Sequence, residues 1–233
     1  MKTHEPIAQT FWLLPLPRVL AWHVGVLAEN PLYQIEETTL LKEEPVELCD
    51  RDIRARIASG DLVFDPMPED MAFQPASVDL RLGSRYFYEV LDPPGFVDAS
   101  DPPSEMMQSD FMEGGFLILP RQFYLFETLE MVTLCSNLSG ELTGKSSLGR
   151  LGLIIHCTAG KVDPGWRGKL TLEVTNMSSR AIYVKPGMYI CQIAFKELSS
   201  PCDRPYGHPG LHSKYQGAKS VMPAWSEEGS LRK

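Results

Sequence analysis

Beyond Gly60 the chain is a succession of short alternating runs split by Pro, Gly and Asp. Val78-Asp79-Leu80-Arg81-Leu82 alternates cleanly, Arg85 to Val90 is aromatic and strand-like, and strands are predicted again at Phe116–Leu119, Phe123–Leu129 and Met131–Leu134. Many short strands at close spacing, bounded by turn residues, predict an all-β-dominated barrel or jelly roll with a few short helices. One such helix is predicted from Cys49 to Ser59: Asp50 can cap it, Ile53 and Ile57 share a face, and Gly60 ends it. Residues 92 to 115 hold four Pro and three Gly and are expected to form a long loop.

Residues 145 to 169 are basic, with five Lys or Arg against one Asp, inside a chain of net charge −8. A basic island in an acidic protein points to a local anion site and away from polymeric nucleic acid. Five scattered cysteines without a C-x-x-C pair read as buried thiols in a reducing compartment. The apolar stretch from Phe11 to Trp22 is broken by Pro15, Pro17 and Arg18 and falls short of the ~20 uninterrupted apolar residues of a spanning helix. It reads as a docking arm or an extension, and the chain is expected to be cytoplasmic, with no membrane partner.

Gly140 to Ser146 nearly spells a P-loop, but three residues separate its glycines where four are needed. Backbone N–H groups and the hydroxyls of Ser146 and Ser147 could still cradle phosphate oxygens; the alternative is an ordinary Gly-Ser turn. Lys169 to Thr175 alternates strictly. Leu170, Leu172 and Val174 share one face, and Glu173 lies on the other, facing a polar cavity, an interface or solvent. The zinc-deaminase signature H-x-E with P-C-x-x-C is missing, and adjacent His156 and Cys157 point opposite ways on an extended strand.

Several motifs in one order carry a resemblance. GKSSLGRLGL from Gly144, HCTAGKVDPGW from His156 and LEVTN from Leu172 resemble the dCTP deaminases of the trimeric dUTPase superfamily. The similarity starts near Leu48-Cys49-Asp50-Arg51-Asp52-Ile53, continues through Ala76 to Gly83 and Pro186-Gly187-Met188, and ends with Ser213-Lys214-Tyr215-Gln216-Gly217. The resemblance implies a dUTPase-like distorted barrel at 48–200, an N-terminal extension at 1–47 outside it, and a flexible lid over the nucleotide at 201–233. It implies hydrolytic deamination of dCTP by a homotrimer, without zinc, and with Mg²⁺ on the triphosphate. Glu173 would be the general base, shuttling a proton to N3 and to the leaving amine, a task suited to a carboxylate. Ser146 and Arg150 would position the water and stabilise the tetrahedral intermediate; a structural ion pair is the alternative for Arg150.

By the same resemblance Asp163 would bind the sugar 3′-hydroxyl, and Trp166 would pack on the deoxyribose. Lys145, Ser147, Thr158, Gln192, Tyr206, Lys214 and Gln216 would bind the rest of the nucleotide, and Asp79 would approach Mg²⁺ through water or be structural. The partners implied are dCTP and dUTP, with dTTP a candidate inhibitor. Two residues divide on the product. Gly160 looks like the bifunctional relatives that form dUMP and pyrophosphate; Trp166 looks like the monofunctional ones, and on it dUTP is the expected product. The remaining alternative is a catalytically reduced nucleotide sensor, against which the intact Ser146, Arg150, Asp163 and Glu173 set argues.

Overall fold

The computed structural model describes residues 46–89 and 107–224. The readings made on the N-terminal arm and on residues 90–106 lie outside the described residues. Helix α1, Asp50–Ser59, starts one residue after Cys49, which occupies the capping position without a side-chain hydrogen bond to the helix backbone; Asp50 is therefore the first helical residue and not the cap. Asp50 and Asp52 in the first turn and Arg56 in the last suit the helix dipole. Gly60 ends the helix at φ 81°, a left-handed conformation that glycine adopts without strain. Ile53 is its fully buried anchor.

Twelve strands follow: β1 Leu62–Asp65, β2 Phe73–Gln74, β3 Ser77–Glu89, β4 Met107–Phe111, β5 Phe116–Ile118, β6 Phe123–Leu134, β7 Leu138–Gly144, β8 Leu153–Ile154, β9 Lys161–Val162, β10 Arg167–Asn176, β11 Ile182–Val184 and β12 Tyr189–Glu197. A single helical turn, α2 (Ser146–Gly149), follows β7. Ten strands form one antiparallel sheet whose main path runs β8-β10-β6-β3-β12-β7-β9, while β5 and β11 pair separately. Strand β9 ends that path and β10 stands next to its other end, yet only residues 163–166 join them. So short a connection reaches about 18 Å at full stretch. The sheet must therefore curl until its two ends meet, and the all-β distorted barrel expected from the sequence is the observed fold. Its core includes Phe126, Phe195, Leu80, Leu138, Leu172 and Ile193, all with essentially no exposure. Among the described residues no helix is long and apolar enough to cross a membrane.

Three local expectations are corrected. The predicted loop at 92–115 contains β4, which pairs with β3 from Arg85↔Phe111 to Glu89↔Met107. The two strands expected at 123–129 and 131–134 are one, because Glu130 between them is fully buried, with Arg81 donating Nε–H to its Oε1 at 2.6 Å and backbone N–H to its Oε2 at 2.9 Å. Nor are the cysteines uniformly buried: all five are free thiols, Cys191 is buried, Cys157 is exposed and the others lie between.

Candidate active site

Strand β10 alternates as its sequence demands. Gly168, Leu170, Leu172, Val174 and Asn176 are buried, and the residues between them are not. Glu173 thus leaves the core and lines a cleft of about 400 Å³ together with Asp163, Trp166, Tyr206 and Tyr215. Its Oε2 accepts hydrogen bonds from the backbone N–H groups of Cys157 at 3.0 Å and Thr158 at 3.2 Å. These two donors fix the carboxylate's orientation. Its Oε1 has no donor among the described residues and is the oxygen left for a water or a ligand. Cys157 lies so close that partial burial, and then the Glu173 charge, push its thiol pKa up. Exposure alone therefore does not make this cysteine a strong nucleophile.

The turn between β9 and β10 presents Asp163 and Trp166. The Trp166 N–H closes it on the Asp163 carbonyl at 3.1 Å, and the indole Nε1–H donates to the Gly168 carbonyl at 3.2 Å. The Tyr206 ring packs against Trp166 with centroids 5.4 Å apart. This segment is not a hairpin loop, since β9 pairs with β7 and β10 with β6 and β8. It runs from one end of the curled sheet to the strand next to the other end, and brings Asp163 into the cleft that Glu173 lines.

The other expected residues lie elsewhere. Ser146 and Ser147 belong to α2, Arg150 follows it, and all three side chains are exposed. None of them lines the Glu173 cleft. Arg150 makes no ion pair among the described residues. Lys145 pairs with Asp79 on β3 and lies 5.8 Å from the centre of the Tyr189 ring. Gln192 stands on β12 opposite Asp79 and Thr143. Thr158 borders a second hollow with His156, Lys161 and Lys196. Of the tail residues, Tyr206 is in the cleft, whereas Gln216 has its amide engaged by backbone: Oε1 accepts from Arg167 N–H at 3.0 Å, and Nε2 donates to Gly165 O at 2.8 Å and Tyr206 O at 3.1 Å. Lys214 is half-buried on the same tail.

Asp79 is the residue expected to approach Mg²⁺. It is 5 % exposed, one of its oxygens is held by Lys145, and Oδ1 is buried without a donor. Among the described residues no three His, Cys, Asp or Glu side chains gather as a metal cage. A single carboxylate with a spare oxygen fits a cation that keeps waters and rides on phosphates.

Sequence reasoning overlooked Phe123, Leu125 and residues 222–224 as walls of the cleft. The first two were legible: Phe123 and Leu125 sit opposite Thr175 and Glu173 in the β6–β10 register, and an alternating strand places neighbours across a ladder on the same face.

The fold and site together are a curled antiparallel barrel with a carboxylate cleft at its seam. A family model described as dCTP deaminase-like matches residues 48–198, and the chain belongs to that family. It is 42% identical over 191 residues to a protein of Mycobacterium ulcerans named "dCTP deaminase, dUMP-forming", covering 79% of this chain and 98% of that one. It is 45% identical over 181 residues to a protein of the same name from Beutenbergia cavernae, covering 74% and 90%. Among solved structures, the dCTP deaminase of Agrobacterium tumefaciens is similar with a TM-score of 0.54 and 25% identity, over 66% of this chain and 48% of that one.

These names overturn dUTP as the expected product. That expectation rested on Trp166, whose ring and N–H hold the turn and meet the tail, work that does not depend on which product forms. Gly160 was the better guide. A Cβ there would lie 2.9 Å from the Leu142 carbonyl oxygen and 3.1 Å from the His156 ring, so the loop's close passage over β7 admits no side chain without a shift.

Proposed function

We propose that this protein hydrolyses dCTP to dUMP, ammonia and pyrophosphate, consuming two waters. The observation that carries the reading is the convergence of Glu173, Asp163 and Trp166 on one cleft, with the Glu173 carboxylate oriented by two backbone N–H groups and one oxygen without a donor among the described residues. The names of relatives at 42–45% identity support the product. Glu173 takes a proton from a water as it attacks C4 of the cytosine ring, delivers it to N3, and passes a proton to the departing amine. Asp163 accepts the sugar 3′-hydroxyl, and Trp166 packs on the deoxyribose. The second water must approach the α-phosphorus in line with the leaving pyrophosphate. Mg²⁺ on the triphosphate would supply charge neutralisation, and Asp79 is the residue that would hold it.

Ser146 and Arg150 belong to the same reaction but stand outside this chain's Glu173 cleft. The proposal therefore includes a homotrimer in which a neighbouring copy brings Ser146, Ser147 and Arg150, with their charge-assisted hydrogen bonds, to the Glu173 water. The test is to follow dCTP with protein and Mg²⁺ by anion exchange at early and late times. Ammonia, dUMP and pyrophosphate rising in step support the reading. Absence of ammonia release refutes it, and persistent dUTP refutes the second hydrolysis.

A further inference from the structure

Glu127 on β6 is a carboxylate with 4 % exposure, a costly state unless it is fully paired. Its Oε1 accepts from Lys169 Nζ at 2.8 Å. Its Oε2 accepts from Ser220 Oγ at 2.7 Å and from the Val221 N–H at 3.2 Å. Two of these three hydrogen bonds to the buried charge thus come from the tail. The tail also takes the free edge of β10: Gly217 N–H donates to Arg167 O at 2.8 Å, and Lys169 N–H donates to Ala218 O at 2.8 Å. Two glycines make room for the arrangement. A Cβ at Gly83 would strike the Glu127 side chain. Gly168, at φ 152°, lies so close beneath the tail that a Cβ would come within 2.8 Å of Ala218 O. Immediately past this anchor, Met222, Pro223 and Ala224 line the cleft that holds Glu173.

We propose that the Glu127–Lys169 pair is the seat of the tail, and that Glu127 is a positioning residue: by capturing Ser220 and Val221 it places residues 222–224 as the apolar wall of the nucleotide cleft. The second half of this statement rests on the dCTP reading above; the first does not. Glu127 does not line the Glu173 cleft, so its loss acts on binding and leaves the chemistry at Glu173 in place. A role confined to packing would change stability without moving KM against kcat.

Two variants of the full-length protein test it, Glu127→Gln and, away from the core, Ser220→Ala. Lys219 is exposed beside the anchor, and trypsin cuts there only when the tail lifts. Losing a hydrogen bond to a buried charge should speed formation of the fragment ending at Lys219 by about tenfold, as read by mass spectrometry. It should also raise KM for dCTP by about tenfold while kcat stays within about twofold. Ser220→Thr, which keeps the hydroxyl, should behave as wild type in both assays. Unchanged cleavage at Lys219 in both variants overturns the seat. Faster cleavage with unchanged KM overturns the wall. If wild-type protein released no ammonia from dCTP, the functional reading would fall, while the proteolysis would still decide the seat.

Discussion

Glu173→Gln separates chemistry from structure at one position. In the wild-type protein one carboxylate oxygen accepts the N–H groups of Cys157 and Thr158, and the other has no donor among the described residues. A glutamine can turn its carbonyl oxygen to the same two N–H groups and put its NH₂ where the free oxygen was. Both hydrogen bonds survive, each weakened from a charged to a neutral acceptor, a loss of about 1 kcal/mol apiece at most. Unfolding should therefore shift by only a few degrees in a domain of this size. The amide cannot take a proton from water. Losing a general base costs about 10²–10⁴ in rate, or about 3–5.5 kcal/mol of barrier, and more when the same group also serves as the acid. The expected result is ammonia release cut by at least two orders of magnitude, with dCTP binding and Tm nearly unchanged. Release is followed by a coupled ammonia assay, binding by calorimetry and Tm by tryptophan fluorescence. Turnover within tenfold of wild type would refute the role of Glu173. A collapse of Tm in step with activity would refute the claim that its two backbone donors survive.

Two further outcomes are expected. Gly160→Ala should lose about 1–3 kcal/mol of stability in denaturant unfolding, because its Cβ meets the Leu142 carbonyl and the His156 ring; an unchanged midpoint would mean that the 157–160 loop yields freely. Mixing Glu173→Gln with Arg150→Ala protein after subunit exchange should restore ammonia release in a fraction of the sites, since the two residues are proposed to meet across copies. No recovery despite proven exchange would place them in one chain's site.

Period-two patterning made β10 and its outward Glu173 legible, because that strand has one face on the core and one on a cleft. The same rule failed on β6, where consecutive residues from Tyr124 to Thr128 are all buried: the core covers one face and the tail covers part of the other. A strand buried on both faces does not alternate. Glu130 looked like a break between two strands because charge suggests solvent, and its partner Arg81 stands 49 residues away in sequence. Strand β4 hid among Pro and Gly because its partner β3, not its own composition, makes it a strand. Asp163, Trp166 and Glu173 could be matched to a known motif and do share a cleft. The seat at Glu127 could not be read, since a carboxylate inside an apolar run reveals a need for donors without revealing that they lie 93 and 94 residues further on.

That separation in sequence also orders events in time. Synthesis runs from the N-terminus, and domains begin to fold as they emerge. The strands up to β10 can pair, and Glu173 can find its two backbone donors, before Ser220 exists as part of the chain. During that interval the edge of β10 at Arg167–Lys169 is uncovered and Glu127 holds only its lysine. The cleft of each molecule is therefore unfinished until residues 217–224 have been made and have docked against β10 and Glu127.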